Sequence, residues 1–424
     1  VRTPGDFWSW CNNSLIPGLH ASDWYNGKRV TWLHSRYVSN RETFVTGPAR
    51  IRQLRVKKGT CDMHDNITRV PRECISTYSI FSQEEAHFVE GWKNRSLDED
   101  VNFLSPKLNG HPYTGLLNIY DGGGYSVTLG NTAKKSRKIL KQLKDHGWVD
   151  RPTSAIFVEF TVYNANVNLF ASVVLLLEGS ANGAFFPYPV ISPIRLYEFI
   201  DGKGLLLVIT YIIFVLVLLY KIFNILKSIK EIRWKYFHHF WNWIDFISAL
   251  MSITASGIYG VRYIHSHIIL DKITQDVDKE TFVNFQYLIL WNDIFRFLMS
   301  FILFFATIKF TRLLRFNRRI RLLSMTLSYA AKPVVLFSVM FSIYFLGFLF
   351  LANLWFEQTV YAYSNIPLAA GEMFSMLLNR FDFTQLQEAD KLLGPLFFSA
   401  FTGVCTIALL NMFIVILDES IKRV

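Results

Sequence analysis

The residues with the clearest chemistry are five cations at every third position, Lys309, Arg312, Arg315, Arg318 and Arg321, at the end of an apolar run from Phe297 to Ile308. A charged side chain is costly at mid-bilayer, so intramembrane cations mark ion paths or voltage sensors. An every-third row drifts by about 60° per step on an α-helix and stays in register on a 3₁₀ helix. The spacing predicts a voltage-sensing helix. The competing reading is a span that ends near Phe310 and continues as a basic cytoplasmic linker, which applies most to Arg318 and Arg321. Charges that move through a membrane field need facing acids. Asp245 in WNWIDF is the candidate counter-charge, with Asp293 a second, while the apolar run Leu205 to Phe223 offers no carboxylate and Lys221 there adds a cation.

The elements that must hold this row are themselves apolar. The 424-residue chain is 51% hydrophobic and 16% aromatic with a positive mean hydropathy, which points away from an ordinary soluble protein. A net charge of +11 would suit nucleic acid, but the basic residues gather beside apolar segments as positive-inside loops do. Membrane lipid, and no nucleic acid, is the expected partner. Candidate spans are Leu205 to Phe223, Phe240 to Tyr259, Phe285 to Ile308, Val334 to Trp355 and Pro395 to Leu417, each near the ~20 residues a crossing needs. Lys227, Lys230, Arg233 and Lys235, and later Arg318, Arg319, Arg321 and Lys332, mark cytoplasmic loops. The loop at 260–284, with Asp271, Asp276, Asp278 and Glu280, suits the other side. Five crossings then place residues 1–200 outside and the C-terminus in the cytoplasm, as in a multi-pass plasma-membrane protein. The chain opens on Val1 with no visible signal peptide, so it reads as an internal piece of something longer.

Residues 1 to about 200 read as an α+β domain, with strand-like runs at Ala155 to Tyr163 and Leu169 to Leu177. The glycines of YDGGGYSVTLG, Tyr120 to Gly130, lack both a following Lys-Ser/Thr and a GxGxxG spacing, so a tight turn is expected rather than a phosphate loop. Cys61 and Cys74 lie close together in a polar region and are disulfide candidates, stabilising by about 3 kcal/mol in an oxidising compartment; two separate thiols are the alternative. Glycosylation sequons fall at Asn12, Asn66 and Asn94. Asp62, His64 and Asp65 beside Cys61 have no second ligand group at metal-binding spacing. No enzyme activity, metal or cofactor is expected.

Glu357 to Leu393 is too short and polar to cross, yet Ile366 to Leu378 is a helix-sized apolar piece after Asn365-Ile366-Pro367. Backbone that dips into a membrane and returns survives only inside protein or beside a water-filled cavity. Helix, re-entrant helix, short polar turn and helix form the layout of a tetrameric pore, with an amphipathic external loop as the alternative.

Several strings resemble the polycystin branch of transient-receptor-potential channels: TPGDFWSWCNNSLIPGL, YDGGGYSVTLG, YFHHFWNWIDF, LLGPLFFSAF and ALLNMFIVILDES, in that order. The resemblance covers the whole chain and is most like the receptor-type polycystin-1-like group. It implies an α-helical membrane protein: a voltage-gated-like channel subunit holding the second to sixth helices below an extracellular α+β polycystin lid. The implied parts are 1–200 lid, 201–325 voltage-sensor-like helices and 326–424 pore domain. The first helix of such a subunit would lie before Val1, the fourth would run from Phe285 to Arg321, and Tyr211 stands where the family carries an acid. The spacing of Cys61 and Cys74 matches the family's lid disulfide.

Leu378, Asn379 and Arg380 fall where conducting polycystin-2-like subunits carry Leu-Gly-Asp, and with Asp382 they form the implied selectivity filter. Asn379 and Arg380 replace a glycine that presents carbonyls and an acid that attracts cations; Arg380 either faces the ion or pairs with Asp382 or Glu372. Asn411, Ile414 and Asp418 share a helical face and match the inner gate. Gly403 reads as a packing glycine rather than a bend. The implied function is a pore-forming but non-autonomous subunit, in a heterotetramer with polycystin-2-like partners, passing calcium, sodium and potassium at the plasma or ciliary membrane. The alternative is a non-conducting receptor or adhesion subunit that regulates or traffics a partner channel.

Overall fold

A computed structural model describes residues 1–31, 36–60, 74–85, 103–104, 110–180, 182–196, 204–275, 281–313, 318–378, 380 and 383–422. The chain divides into two compact units, Val1–Phe305 and Ala306–Val424.

The first unit begins with α1 (Pro4–Trp10), a π-helical stretch (Cys11–Leu15) and α2 (Ile16–Leu19). Thr3 starts α1 through a reciprocal capping box with Asp6. The strands are β1 (Thr43–Val45), β2 (Arg50–Arg55), β3 (Phe103–Leu104), β4 (Tyr113–Thr114), β5 (Ile119–Tyr120), β6 (Gly124–Thr128), β7 (Thr153–Asn164), β8 (Leu169–Gly179) and β9 (Phe185–Ile194), with α3 (Ala133–Asp145) between β6 and β7. They form an antiparallel sheet in the order β3-β6-β2-β7-β8-β9, with β1 also on β7 and β4-β5 a separate hairpin. The expected runs at Ala155 and Leu169 are β7 and β8, the longest strands. Alternation divides the sheet's two faces. Ile51, Ile156 and Val158 pack with α1, α2 and α3 on one, and Leu54, Phe157 and Leu176 pack with Tyr78 and Tyr120 on the other.

The triple glycine does make a close turn. A Cβ on Gly122 would lie 2.1 Å from the Gly110 carbonyl oxygen, and one on Gly124, whose φ is +124°, would lie 2.6 Å from that of Gln53. The loop turns its Asp121 and Gly123 carbonyls toward the Arg52 guanidinium, at 3.1 and 2.6 Å, the opposite polarity to a phosphate cradle.

Long apolar helices follow: α4 (Gly204–Ile232), α5 (Phe240–Gln275), α6 (Gln286–Leu313) and α7 (Arg318–Phe356). Each holds a stretch long and apolar enough to cross a membrane. Two boundaries differ from expectation. α5 continues well past Tyr259 to Gln275, and Ile269 in that extension is buried against the lid. α7 includes Pro333 without ending there, so its described part runs from Arg318 into the span expected at Val334; residues 314–317, between it and α6, lie outside the described residues.

The second unit adds α8 (Ile366–Leu377), α9 (Phe383–Ala389), α10 (Leu393–Phe401), a π-helical segment (Thr402–Leu409) and α11 (Leu410–Lys422). The fifth expected span, Pro395 to Leu417, is thus two α-helical pieces joined by a π segment. Phe345, Phe356, Met373, Met376, Phe397 and Phe401 form the unit's core.

Candidate ion-conduction site

α8 begins where the sequence requires it. Pro367 occupies the first turn, where its missing N–H is no loss, and Ala369 N–H reaches the Asn365 carbonyl at 2.9 Å. Asn353 on α7 donates to the Tyr363 carbonyl at 2.8 Å and ties down the approach to the helix. Ala369, Met373 and Met376 turn inward, all buried. At the other end Leu378 N–H reaches the Phe374 and Ser375 carbonyls, and Arg380 N–H reaches Ser375 O at 2.9 Å. Leu378 is 73% exposed and Arg380 is exposed. Among the described residues no ion pair joins Arg380 to Glu372. Asn379 and Asp382 lie outside the described residues.

Where a short polar turn was expected, the chain forms a second small helix, α9. Leu386 anchors it; a Cβ on Gly394 would come within 2.2 Å of the Leu386 carbonyl oxygen, so only glycine lets α10 approach this closely. The Asp390 carboxylate accepts the Leu392 and Leu393 N–H groups, each at 2.8 Å, and starts α10.

Asn411, Ile414 and Asp418 all lie on α11, share one face and are exposed in the single chain. Asp418 pairs with Lys422 one turn on, at 2.6 Å. Gly403 sits in the π segment, and nothing described lies within 4 Å of the place a methyl group would take there, so close packing within the chain is not its role.

Four of the five cations expected to form a sensor lie to either side of residues 314–317, which are outside the described residues. Lys309 and Arg312 are on α6, which is α-helical there, Arg318 and Arg321 are on α7, and Arg315 lies outside the described residues. Asp245, near the start of α5, lies 3.8 Å from Lys221 on α4, whose ammonium also donates to Ser248 Oγ. Asp293 pairs with Arg296 on its own helix. Tyr211 meets Tyr259 in a tilted pair with centroids 4.5 Å apart, and Tyr259 meets Phe295 at 5.8 Å. Arg262 lies over both Tyr259 and Phe295 and donates to Asn292 Oδ1 at 2.8 Å. An aromatic file capped by a cation therefore links α4, α5 and α6 where an acid was expected.

The lid rests on α5 and α6 through a charged centre the sequence reading missed. Glu159 on β7 accepts from Arg50 Nη2 at 2.5 Å, Arg52 Nη2 at 3.1 Å and Gln286 Nε2 at 3.0 Å. Burial opposes its charge most strongly, but the two guanidinium groups outweigh that and hold its carboxyl below the ordinary value. Phe282 lies under Arg50 at 4.1 Å, and Phe170 stacks on Phe285 at 5.8 Å within a cluster that includes Ile194, Ile269 and Leu288. The available signal was charge inside two strand-like runs, three arginines in RIRQLR and Glu159 in AIFVEF. Cys74 is disulfide-bonded, Cys11 and Cys405 are free, and the expected partner Cys61 lies outside the described residues. Asn12 is exposed; Asn66 and Asn94 also lie outside.

A family model for the polycystin domain matches residues 1–197, and one for the polycystin cation channel matches residues 198–424. The chain belongs to the polycystin cation channel family. Polycystin-2 of Danio rerio is 31% identical over all of this chain and 46% of its own length, and polycystin-2-like protein 1 of Homo sapiens is 28% identical over all of it and 52% of its own. Polycystin-1-like protein 3 of Mus musculus is 24% identical over 98% of the chain and 19% of its own length. The chain therefore spans about half the length of the polycystin-2 type relatives and a fifth of the longer one. With its apolar helices, this polycystin is a membrane protein.

Proposed function

We propose that this polycystin is a pore-lining, non-autonomous subunit of a heteromeric, calcium-permeable, non-selective cation channel, assembled in a heterotetramer with polycystin-2-like partners. The observation that carries the proposal is Arg380, exposed just past the C-terminal end of α8, in an otherwise complete pore layout. An arginine ~6 Å from a permeating monovalent ion costs about 3 kcal/mol at an effective dielectric of about 20, and about twice that for a divalent ion. Four such residues around one axis close a pore to cations; one among four leaves it open and changes its selectivity. Residues 1–200 lie outside the cell and the C-terminus inside, with calcium, sodium and potassium as permeant ions. The same arginine favours the second reading, a receptor or adhesion subunit that regulates or traffics its partner without lining the pore.

Whole-cell current with the full-length protein alone, with a polycystin-2-like partner, and with the partner plus Arg380→Gln decides between them. Expected are current only with the partner and a calcium-to-sodium permeability ratio that rises by up to about 10²-fold in the variant, the difference between the divalent and monovalent costs. Robust current from the protein alone overturns the non-autonomous reading. An unchanged ratio in a surface-expressed variant favours the receptor reading.

A further inference from the structure

α3 carries a charge pattern that ion conduction does not use. Its sequence AKKSRKILKQLKD holds six cations against one acid, Asp145. Packing decides which way they face. Ser136, Leu140 and Leu143 are buried, the two leucines in the lid core with Ile51, Trp148 and Ile156. At about 100° per residue, Lys134, Arg137, Lys138, Lys141 and Lys144 then fall within an arc of about 120° on the other side, and all five are exposed. They form a row about 15 Å long. Among the described residues no ion pair reaches any of these five.

Helix stability does not account for the row. Lys134 and Lys135 occupy the first turn, where the helix dipole favours acids, and like charges three and four apart repel. We infer that this face binds a sulfated polysaccharide of the glycosaminoglycan class, laid along the axis of α3. The exposed arc has no aromatic or aliphatic side chain, and so lacks the anchors of a protein interface. The apolar face is used up in the lid core, so α3 has nothing to insert into a bilayer. A linear polyanion needs neither, because neutralising it releases counterions in proportion to the cations engaged. Choosing a sulfated sugar over nucleic acid rests on the lid lying outside the cell; polyanion binding by this face does not.

The test is binding of the purified full chain, in neutral phosphatidylcholine nanodiscs, to immobilised heparin. Desulfated heparin, polyglutamate, single-stranded DNA and phosphatidylserine vesicles serve as competitors. Expected are an affinity that falls on the order of 10²-fold for a four-fold rise in salt, and at least a ten-fold loss in the triple variant Arg137→Gln, Lys138→Gln, Lys141→Gln with an unchanged melting temperature. If the triple variant melts early, Lys134→Gln and Lys144→Gln at the two ends of the row carry the same test, each with a smaller loss. A triple variant that binds heparin as tightly as the parent overturns the proposal. So does competition by desulfated heparin, polyglutamate, DNA or phosphatidylserine vesicles as strong as that by heparin.

Discussion

Glu159 shows how much a single carboxylate does in the lid. Two arginines and Gln286 surround it, and side-chain exposure is 2% at Glu159 and 1% at Arg52. Removing one member of a buried ion group leaves the others uncompensated, at about 3–5 kcal/mol. Glu159→Gln should therefore lower the lid's thermal melting temperature clearly; an unchanged value would mean that water or another anion replaces it. The folded carboxyl lies below its ordinary value, so its stabilisation is complete above about pH 4.5 and is lost as acidification passes through the folded value. The variant should lack that part of the acid-side slope. Three charges in strand-like runs were visible in the sequence, but their meeting depends on the register Arg50 opposite Glu159, and on a glutamine more than a hundred residues later. Lys221 was legible only as an extra cation for the same reason: its acid, Asp245, is on another helix.

At the scale of elements, α8 was legible as a helix because Asn365-Ile366-Pro367 supplies a start signal and the residues after it are apolar. α9 was not, since seven residues are too few to show a helical period. The π segment was hidden as well, because a uniformly apolar run looks alike in α- and π-helical form. Glycines sort by geometry in the same way. Gly124→Ala must hold a φ of +124° and meet the Gln53 carbonyl oxygen, so about 1–3 kcal/mol of lid stability should be lost. Gly403→Ala meets nothing described within 4 Å and should leave the melting of the second unit unchanged. Equal melting losses for the two would show that contacts in the assembled channel, rather than those within one chain, set the demand at Gly403.

For the whole molecule, the contact between the lid and its own helices is the testable joint. Phe285 is 1% exposed and lies among Phe170, Ile194, Ile269 and Leu288. Truncating a buried phenylalanine costs about 3–5 kcal/mol. Phe285→Ala should raise amide hydrogen exchange at the start of β8 and at the first turn of α6, while β2 and β6 stay protected. Faster exchange spread evenly over the lid would mean that this contact supports the entire sheet rather than one edge. Much apolar surface remains on the single chain: only 6% of the apolar window of Gly204–His238 is buried within it, as suits a segment that faces lipid.

Composition and residue order alone settle the membrane class, an α+β region ahead of the apolar spans and a short apolar helix near the end, because hydropathy, strand alternation and capping are local signals read within about twenty residues. Tertiary structure decides which charges meet: Glu159 with Arg50, Arg52 and Gln286, Asp245 with Lys221, and Asp293 with Arg296 on its own helix. It likewise decides that α5 extends past Tyr259 to reach the lid. Pairing energies depend on distance and burial, and neither is written in a one-dimensional order of residues.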